Sequence, residues 1–316
     1  MSRSTTPSAP PPQEVCLACG NRRWRWAFQK SSVDFWRCGE CGLVRQFPLP
    51  TVAQLEQHYK EIHESGICSV YLQYEWMRTG IFEHWWSVLE SVPHFPTSGR
   101  LLDVGCSSGT LMEVAARRGW QVFGVEPTEE AAQRARKKHG SRVFHGFLRD
   151  APLEAETFDL VAFFDVFEHL PNPEEVFAEA SRVLKAGGWI AVTTANTRSL
   201  MARLLRERWV LYIPNEHLFY ANGPAITRFL ARYGVEVRMI RRAVKYMPLE
   251  YAVSVLRFLG PEFHRVLRHP LRWLPRAVRE YPLPLYGGEM LVIAQKTGAA
   301  IHPWSTVPAV GAAAVA

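Results

Sequence analysis

Leu101-Leu102-Asp103-Val104-Gly105-Cys106-Ser107-Ser108-Gly109-Thr110-Leu111 is an apolar strand that ends in an acidic residue, turns through two glycines and opens into a helix. In an open α/β sheet, ligands bind beyond the carboxyl ends of the strands, where Asp103 and the glycine loop fall. Glycine at 105 and 109 lets the backbone bend sharply and approach a ligand closely, because no Cβ intervenes. The helix start behind them presents unpaired N–H groups to a carboxylate. The spacing is G-x-x-x-G, not the G-x-G-x-x-G that brings backbone against a pyrophosphate, which argues against a nicotinamide cofactor.

Further strand ends follow at regular distances. Gln121-Val122-Phe123-Gly124-Val125 ends in Glu126, whose carboxylate can accept both hydroxyls of a ribose, and Pro127 follows. Phe158 to Phe164 is a continuous apolar run that ends in Asp165 and continues as Val166-Phe167-Glu168-His169-Leu170-Pro171. Leu184 to Val192 joins a helix end to another strand through a turn at Gly187-Gly188. The helices between carry matching end signals. Thr128 is a predicted N-cap with Glu129 and Glu130 in the first turn, and Lys137-Lys138 then Gly140 close that helix. Asn172 caps the next, with Pro173 at its first position and Val176, Phe177, Ala180, Val183 and Leu184 as its buried face. Strands alternating with amphipathic helices predict an α/β fold with a parallel sheet covered on both faces.

On these motifs, Asp103 to Thr194 resembles the class I S-adenosylmethionine-dependent methyltransferases, most of all the branch that includes the ubiquinone-biosynthesis O-methyltransferases and many small-molecule and sugar methyltransferases. The resemblance implies a Rossmann-like, doubly wound, mostly parallel sheet of seven strands with S-adenosylmethionine as cofactor. It implies cofactor contacts from Asp103, Gly105, Cys106, Ser107 and Gly109 in the first loop, and from Glu126 and Pro127 after the second strand. Phe147 and Leu148 correspond to residues beside the adenine, and Asp165, Val166 and His169 to the pocket wall. Cys106 stands where the family tolerates a small residue and is not expected to be a nucleophile. The chemistry agrees: the cofactor carries a sulfonium cation, an amino-acid end and a ribose but no phosphate, and Asp103 and Asp165 make the strand ends tolerant of positive charge.

The chain has 316 residues, enough for about two domains. Its net charge of +7 comes from scattered arginines, so nucleic acid is not the expected partner. The sequence lacks an apolar run of membrane-spanning length and a basic-then-apolar leader, so a cytoplasmic protein is expected. Residues 1–13 and 299–316 read as disordered tails. Four of the six cysteines fall as Cys16-x-x-Cys19 and Cys38-x-x-Cys41, the spacing of a four-cysteine zinc ribbon, over residues 14–48. Four thiolates fill a tetrahedron, so a structural Zn²⁺ is expected and no open catalytic position. Trp24 to Phe28 and Val33 to Arg37 read as strands of a hairpin between the pairs, and Cys68 as an isolated buried thiol. The methyltransferase domain is expected over 49–298. It begins with a helical lead-in (50–98), whose Tyr71 and Tyr74 either pack in the core or reach the cofactor's amino-acid end.

Two segments exceed what the sheet needs, 195–222 and 242–286, and both are expected to stand over its carboxyl edge as substrate walls. The first contains Pro214-Asn215-Glu216-His217-Leu218-Phe219-Tyr220, which resembles a motif of nucleotide-sugar C-methyltransferases in which the histidine is the proposed base. Pro214 and Asn215 depart from that family's tyrosine and first histidine. His217 is the candidate base, with Glu216 orienting its ring; a packing role for His217 is the other reading. The second segment mixes Phe258, Leu259, Trp273, Leu274 and Tyr281 with arginines and prolines, as a folded cap does, or as a surface for peripheral membrane contact through 244–286 does. The expected activity is methyl transfer to a small-molecule or saccharide-type intermediate, at oxygen by default and at sugar carbon as the alternative. A non-catalytic cofactor-binding scaffold and an RNA methyltransferase are the further alternatives. The acceptor and the oligomeric state stay open.

Overall fold

The computed structural model describes residues 6–8, 10–51, 54, 75–255, 266 and 269–298. Its elements follow the chain as β1 (Trp24–Lys30), β2 (Val33–Cys38), β3 (Val44–Phe47), α1 (Glu75–Glu90), β4 (Arg100–Val104), α2 (Thr110–Ala116), β5 (Gln121–Glu126), α3 (Glu129–His139), β6 (Val143–His145), β7 (Phe158–Phe164), α4 (Pro173–Val183), β8 (Leu184–Ala195), α5 (Leu200–Leu205), β9 (Phe219–Tyr220), α6 (Gly223–Ala231), β10 (Val235–Arg242), β11 (Lys245–Pro248), α7 (Leu249–Val255), α8 (Arg276–Arg279), β12 (Pro282–Leu285) and β13 (Glu289–Lys296).

Seven strands form one sheet in the order β10-β13-β8-β7-β4-β5-β6. The pairs β4–β5, β5–β6, β4–β7 and β7–β8 are parallel, while β13 runs antiparallel between β8 and β10. The continuous apolar run of β7 is explained by its central place, because a strand covered on both faces needs apolar side chains on both. β4 is flanked by β5 on one side and β7 on the other, so the order reverses there and a crevice opens beyond the carboxyl ends. Asp103, Glu126 and Asp165 all stand at that edge.

Both faces of the sheet are buried. On one, α1, α2 and α3 cover a core that includes Trp85, Trp86, Leu111, Trp120, Leu160 and Phe164. On the other, Phe163, Phe177, Phe229 and Ile190 pack with α4 and α6, and the cysteine turns around Cys16 and Leu43 join the same cluster. Thr128 and Asn172 occupy their predicted cap positions, but neither side chain makes a capping bond. Capping oxygens act instead at Ser199 and Asn222, which accept from Ala202 N and Ala225 N. The expected glycine turn before β8 is absorbed into the strand, which already begins at Leu184, with Gly187 at φ 76° inside it.

The predicted hairpin forms as β1–β2, and β3 adds a third antiparallel strand. A fourth comes from the first insertion: β9 pairs with β3 as Val44↔Tyr220 and Arg45↔Phe219. That insertion is therefore fastened to the N-terminal sheet. In the second insertion β11 and β12 form a separate two-stranded sheet, and Trp273 and Tyr281 are exposed. Cys68, Tyr71, Tyr74, Phe258, Leu259 and the 299–316 tail lie outside the described residues. Among the described residues, no helix is long and apolar enough to cross a membrane.

Candidate active site

The glycine loop turns back on β5. Gly105 N and Cys106 N both donate to the Val125 carbonyl, at 2.8 and 3.1 Å. Gly105 has φ 74°, and a Cβ there would lie 2.7 Å from Val166 Cγ2, so only glycine fits between this loop and the segment after β7. Ser107 also adopts a left-handed φ of 49°, and its N–H donates to Glu126 Oε2 at 2.8 Å. Glu126 Oε1 accepts Thr128 N at 2.9 Å. One buried carboxylate thus clamps the loops after β4 and β5, and each oxygen retains lone-pair capacity for a ligand hydroxyl. Pro127 beside it offers its carbonyl to His145 Nε2 at 3.1 Å.

Asp103 is buried below the loop, and burial pushes its carboxyl up to about 7; the Arg78 guanidinium opposes that shift and Glu126 adds to it. Arg78 was not singled out from the sequence. It projects from α1, is itself buried and donates to Ser108 Oγ at 3.0 Å. A cation next to a buried carboxyl suits a zwitterionic amino-acid end, and this pairing tests whether the site fits the cofactor: it does. Cys106 packs against Gly124 under the loop, and burial raises its thiol well above the ordinary range, so it is no nucleophile. At the β6 end Leu148 is buried in the core cluster, while Phe147 is half-buried under the Arg149 guanidinium, 5.2 Å from its ring centroid.

Asp165 closes β7 in a left-handed conformation, φ 57°, unusual for a side-chain-bearing residue. Its N–H donates to Thr193 Oγ1 at 2.8 Å, and that hydroxyl donates to Asp165 Oδ1 at 2.9 Å. Oδ2 accepts Lys245 Nζ at 2.9 Å, and the same ammonium reaches Glu289 Oε1 at 2.7 Å. Lys245 is held there by its neighbour, because Trp85 Nε1 donates to the Val244 carbonyl at 2.9 Å and the ammonium lies over the Trp85 ring. Sequence reading missed Lys245; one lysine in a basic insertion carries no signal of its destination.

Past Asp165, Phe167 to His169 form a short 3-10 turn. The Glu168 carbonyl accepts Leu218 N, at 2.6 Å, which draws the 211–218 loop over the turn. His217 then meets His169 edge to face, with ring centroids 4.7 Å apart and planes at 88°. His217 Nδ1 is 2.9 Å from the Leu211 carbonyl. A carbonyl only accepts, so Nδ1 carries the hydrogen and Nε2 keeps a free lone pair. The expectation that Glu216 orients this ring is corrected here: the Leu211 backbone does so, and the Glu216 charge acts on His169 instead. Burial, then the neighbouring His169, lowers the His217 pKa well below the usual value, so the ring is neutral. Burial pushes Glu168 up to about 8, with Asp165 adding to the shift. Tyr220 is fully buried and occupied with the Ile213 backbone, which removes it as a base.

The four cysteines also converge. Cys16 and Cys41 sulfurs are 3.5 Å apart and those of Cys19 and Cys38 3.6 Å, too far for disulfides and suited to sharing one ion. Gly20 N and Gly42 N donate to the carbonyls of Cys16 and Cys38, closing the two knuckles. Next to them Asn222 Nδ2 donates to the Cys41 carbonyl at 3.1 Å, and Gln46 Oε1 accepts Asn215 N at 2.8 Å. The loop that carries His217 is therefore held from the ribbon side.

A mostly parallel sheet with a glycine loop, a buried acid after the second parallel strand and a charged turn at its switch point has the layout of a doubly wound ligand-binding fold. The family model described as methyltransferase domain matches residues 78–239, more than half of the chain, and the chain belongs to that family. Methyl transfer from S-adenosylmethionine is its chemistry. Among curated proteins it is similar to the ubiquinone biosynthesis O-methyltransferase of Leptothrix cholodnii, 28% identical over 163 residues that cover 48% of this chain and 69% of that protein. The protein of the same name from Hahella chejuensis is 37% identical over 121 residues, 35% of this chain and 50% of the relative. The chain thus spans between half and about two thirds of the length of these relatives. Among solved structures, a putative methyltransferase from Bacillus halodurans aligns with a TM-score of 0.48 and 20% identity, over 67% of this chain and 98% of that one.

Proposed function

We propose that this chain transfers the methyl group of S-adenosylmethionine to an oxygen of a small-molecule or saccharide-type biosynthetic intermediate. The observation that carries the reading is the shared wall at Val166: the loop suited to the cofactor and the Asp165–His169 turn touch there, so donor and acceptor groups would adjoin. Oxygen as acceptor is supported by the names of the similar curated proteins. When bound, the cofactor supplies an electrophilic methyl on a sulfonium. Glu126 would hold the ribose, Asp103 and Arg78 the amino-acid end, and the backbone of Gly105 to Gly109 the nearby edge. Phe147 and Leu148 would flank the adenine, with Asp165, Val166 and His169 as wall. The His217 Nε2 lone pair would receive the acceptor's proton. In the same reading Cys16, Cys19, Cys38 and Cys41 hold a structural Zn²⁺ with all four positions filled.

The second reading is methylation of a sugar carbon with His217 as the base, favoured by the free Nε2 beside the charged turn. Isotope-labelled cofactor offered with hydroxylated aromatic acceptors and with nucleotide sugars separates the two. An O–CH₃ product in the carbon NMR spectrum supports the first, and a C–CH₃ product replaces it with the second. Failure to bind S-adenosylmethionine in calorimetry would sink both.

A further inference from the structure

We infer that Glu168, His169 and His217 form a second metal site, one that takes a divalent transition ion of the zinc class and leaves a coordination position open. Each side chain brings one ligand atom, and all of these lie within 4.8 Å of one another. Ligands on a tetrahedral zinc-class ion sit about 3.4 Å apart, from metal–ligand distances of about 2.1 Å, so small side-chain rotations close the trio on an ion.

Two observations point to an ion here rather than to simple packing. First, Glu168 Oε2 and His169 Nδ1 are buried with no hydrogen-bond partner, and Glu168 is only 2% exposed. Buried acceptors are rarely left empty, because desolvation goes uncompensated. Second, His217 gives its Nδ1 hydrogen to the Leu211 carbonyl, the outer bond that commonly fixes a metal-bound imidazole and turns Nε2 inward.

The donor set selects the ion. Two imidazoles and one carboxylate suit zinc, cobalt or iron, and disfavour magnesium and calcium, which prefer oxygen throughout. Three protein ligands leave the fourth position vacant, the reverse of the closed four-cysteine cluster. That vacancy has a use that rests on the oxygen-acceptor reading, whereas the ion binding does not. With the ion in place the His217 Nε2 lone pair is a ligand and no longer the proton acceptor, and an acceptor hydroxyl bound at the vacancy loses its proton to solvent near neutral pH. Its oxygen pair then forms the C–O bond to the methyl carbon as the C–S bond breaks and its electron pair returns to sulfur.

Metal content of the full-length protein tests the site without activity. After dialysis against excess Zn²⁺ and desalting, two zinc ions per chain are expected. A mild chelator should remove the one in the open site first, leaving the four-thiolate ion in place. Refilling with Co²⁺ should then give ligand-field bands without thiolate charge transfer. Glu168→Gln and His217→Ala should each weaken that refilling by more than about 100-fold, beyond the effect of losing an outer-shell partner, while keeping the first zinc. One zinc per chain in the wild type, or cobalt refilling unchanged in both variants, overturns the proposal. Cofactor binding is measured separately by calorimetry, so loss of the methyl-transfer reading would be seen on its own.

Discussion

The four cysteines and the Glu168–His169–His217 trio are both clusters of ligand-type side chains, yet they are assembled by opposite means. Each cysteine pair is made by its own tight turn, with Gly20 and Gly42 supplying the left-handed residue after it. The trio exists only because two distant segments meet: the turn after β7, and a loop carried in by β9 and by the Leu218–Glu168 backbone bond. The first cluster is local and closed, the second tertiary and open. They are also linked in one direction, since β3 of the ribbon sheet pairs with β9 beside His217. The difference predicts that the cysteines govern stability and the trio governs chemistry.

The largest effect expected is therefore on folding. Cys38→Ser removes a ligand from a module too small to hold its own core, where zinc binding in comparable peptides is worth about 10–16 kcal/mol. Denaturant unfolding should show a loss of several kcal/mol, above the ordinary range for single substitutions. Because the His217 loop hangs on the same sheet, turnover should fall with stability. An unchanged unfolding midpoint would break the comparison at its first term.

His217→Ala probes the other side. Turnover should drop by roughly 10²–10⁴-fold, the span for losing help in removing the acceptor's proton, while affinity for S-adenosylmethionine stays within about twofold. Glu168→Gln should cost similar turnover without lowering the unfolding midpoint, since it removes a carboxyl that burial already penalises. A collapse of cofactor affinity in either variant would place Glu168 and His217 beside His169 in the cofactor pocket and merge the two halves of the site.

How much of this was legible follows from the same local-versus-tertiary distinction. The sheet, its helices and the strand-end acids are written in periodicity and turn residues over short windows, so Asp103, Glu126 and Asp165 were found where they stand. The cysteine hairpin was legible for the same reason. Lys245 and Arg78 were not, because each is a single basic residue whose burial depends on partners far along the chain. His217 was marked by its motif, but its orientation was misassigned: sequence adjacency favoured Glu216, and the fold brought the Leu211 carbonyl instead. Where a side chain points is set by tertiary contacts, and proximity in sequence is a poor guide to it.

A smaller effect should separate cofactor binding from both clusters. Glu126→Ala removes an acceptor that ties two loops and would face the ribose; calorimetry should show S-adenosylmethionine binding weakened by about 1–3 kcal/mol, the range for bonds to a charged group. The metal content should be untouched. A variant that binds as tightly as wild type would move the ribose elsewhere.

The smallest effect is a pH slope at Asp103. In the free chain burial holds this carboxyl at about 7 against an ordinary 3.8. The folded state therefore binds the proton more tightly than the unfolded chain, and the group's contribution to stability declines as pH rises from about 4 to 7. A cationic cofactor favours the carboxylate, so binding must release a proton wherever the free chain still holds one. Affinity should thus rise with pH up to about 7 and then level, with a slope of at most about tenfold per pH unit, one proton's worth. Calorimetry at pH 6, 7 and 8, in buffers of different ionisation enthalpy, reads both the slope and the proton. Asp103→Asn should flatten the profile while leaving both the cysteine-bound zinc and the His217 dependence intact. A wild-type profile already flat across that range would mean that Asp103 faces no cation, and the cofactor's amino-acid end would then have to rest on the loop backbone and Arg78 alone.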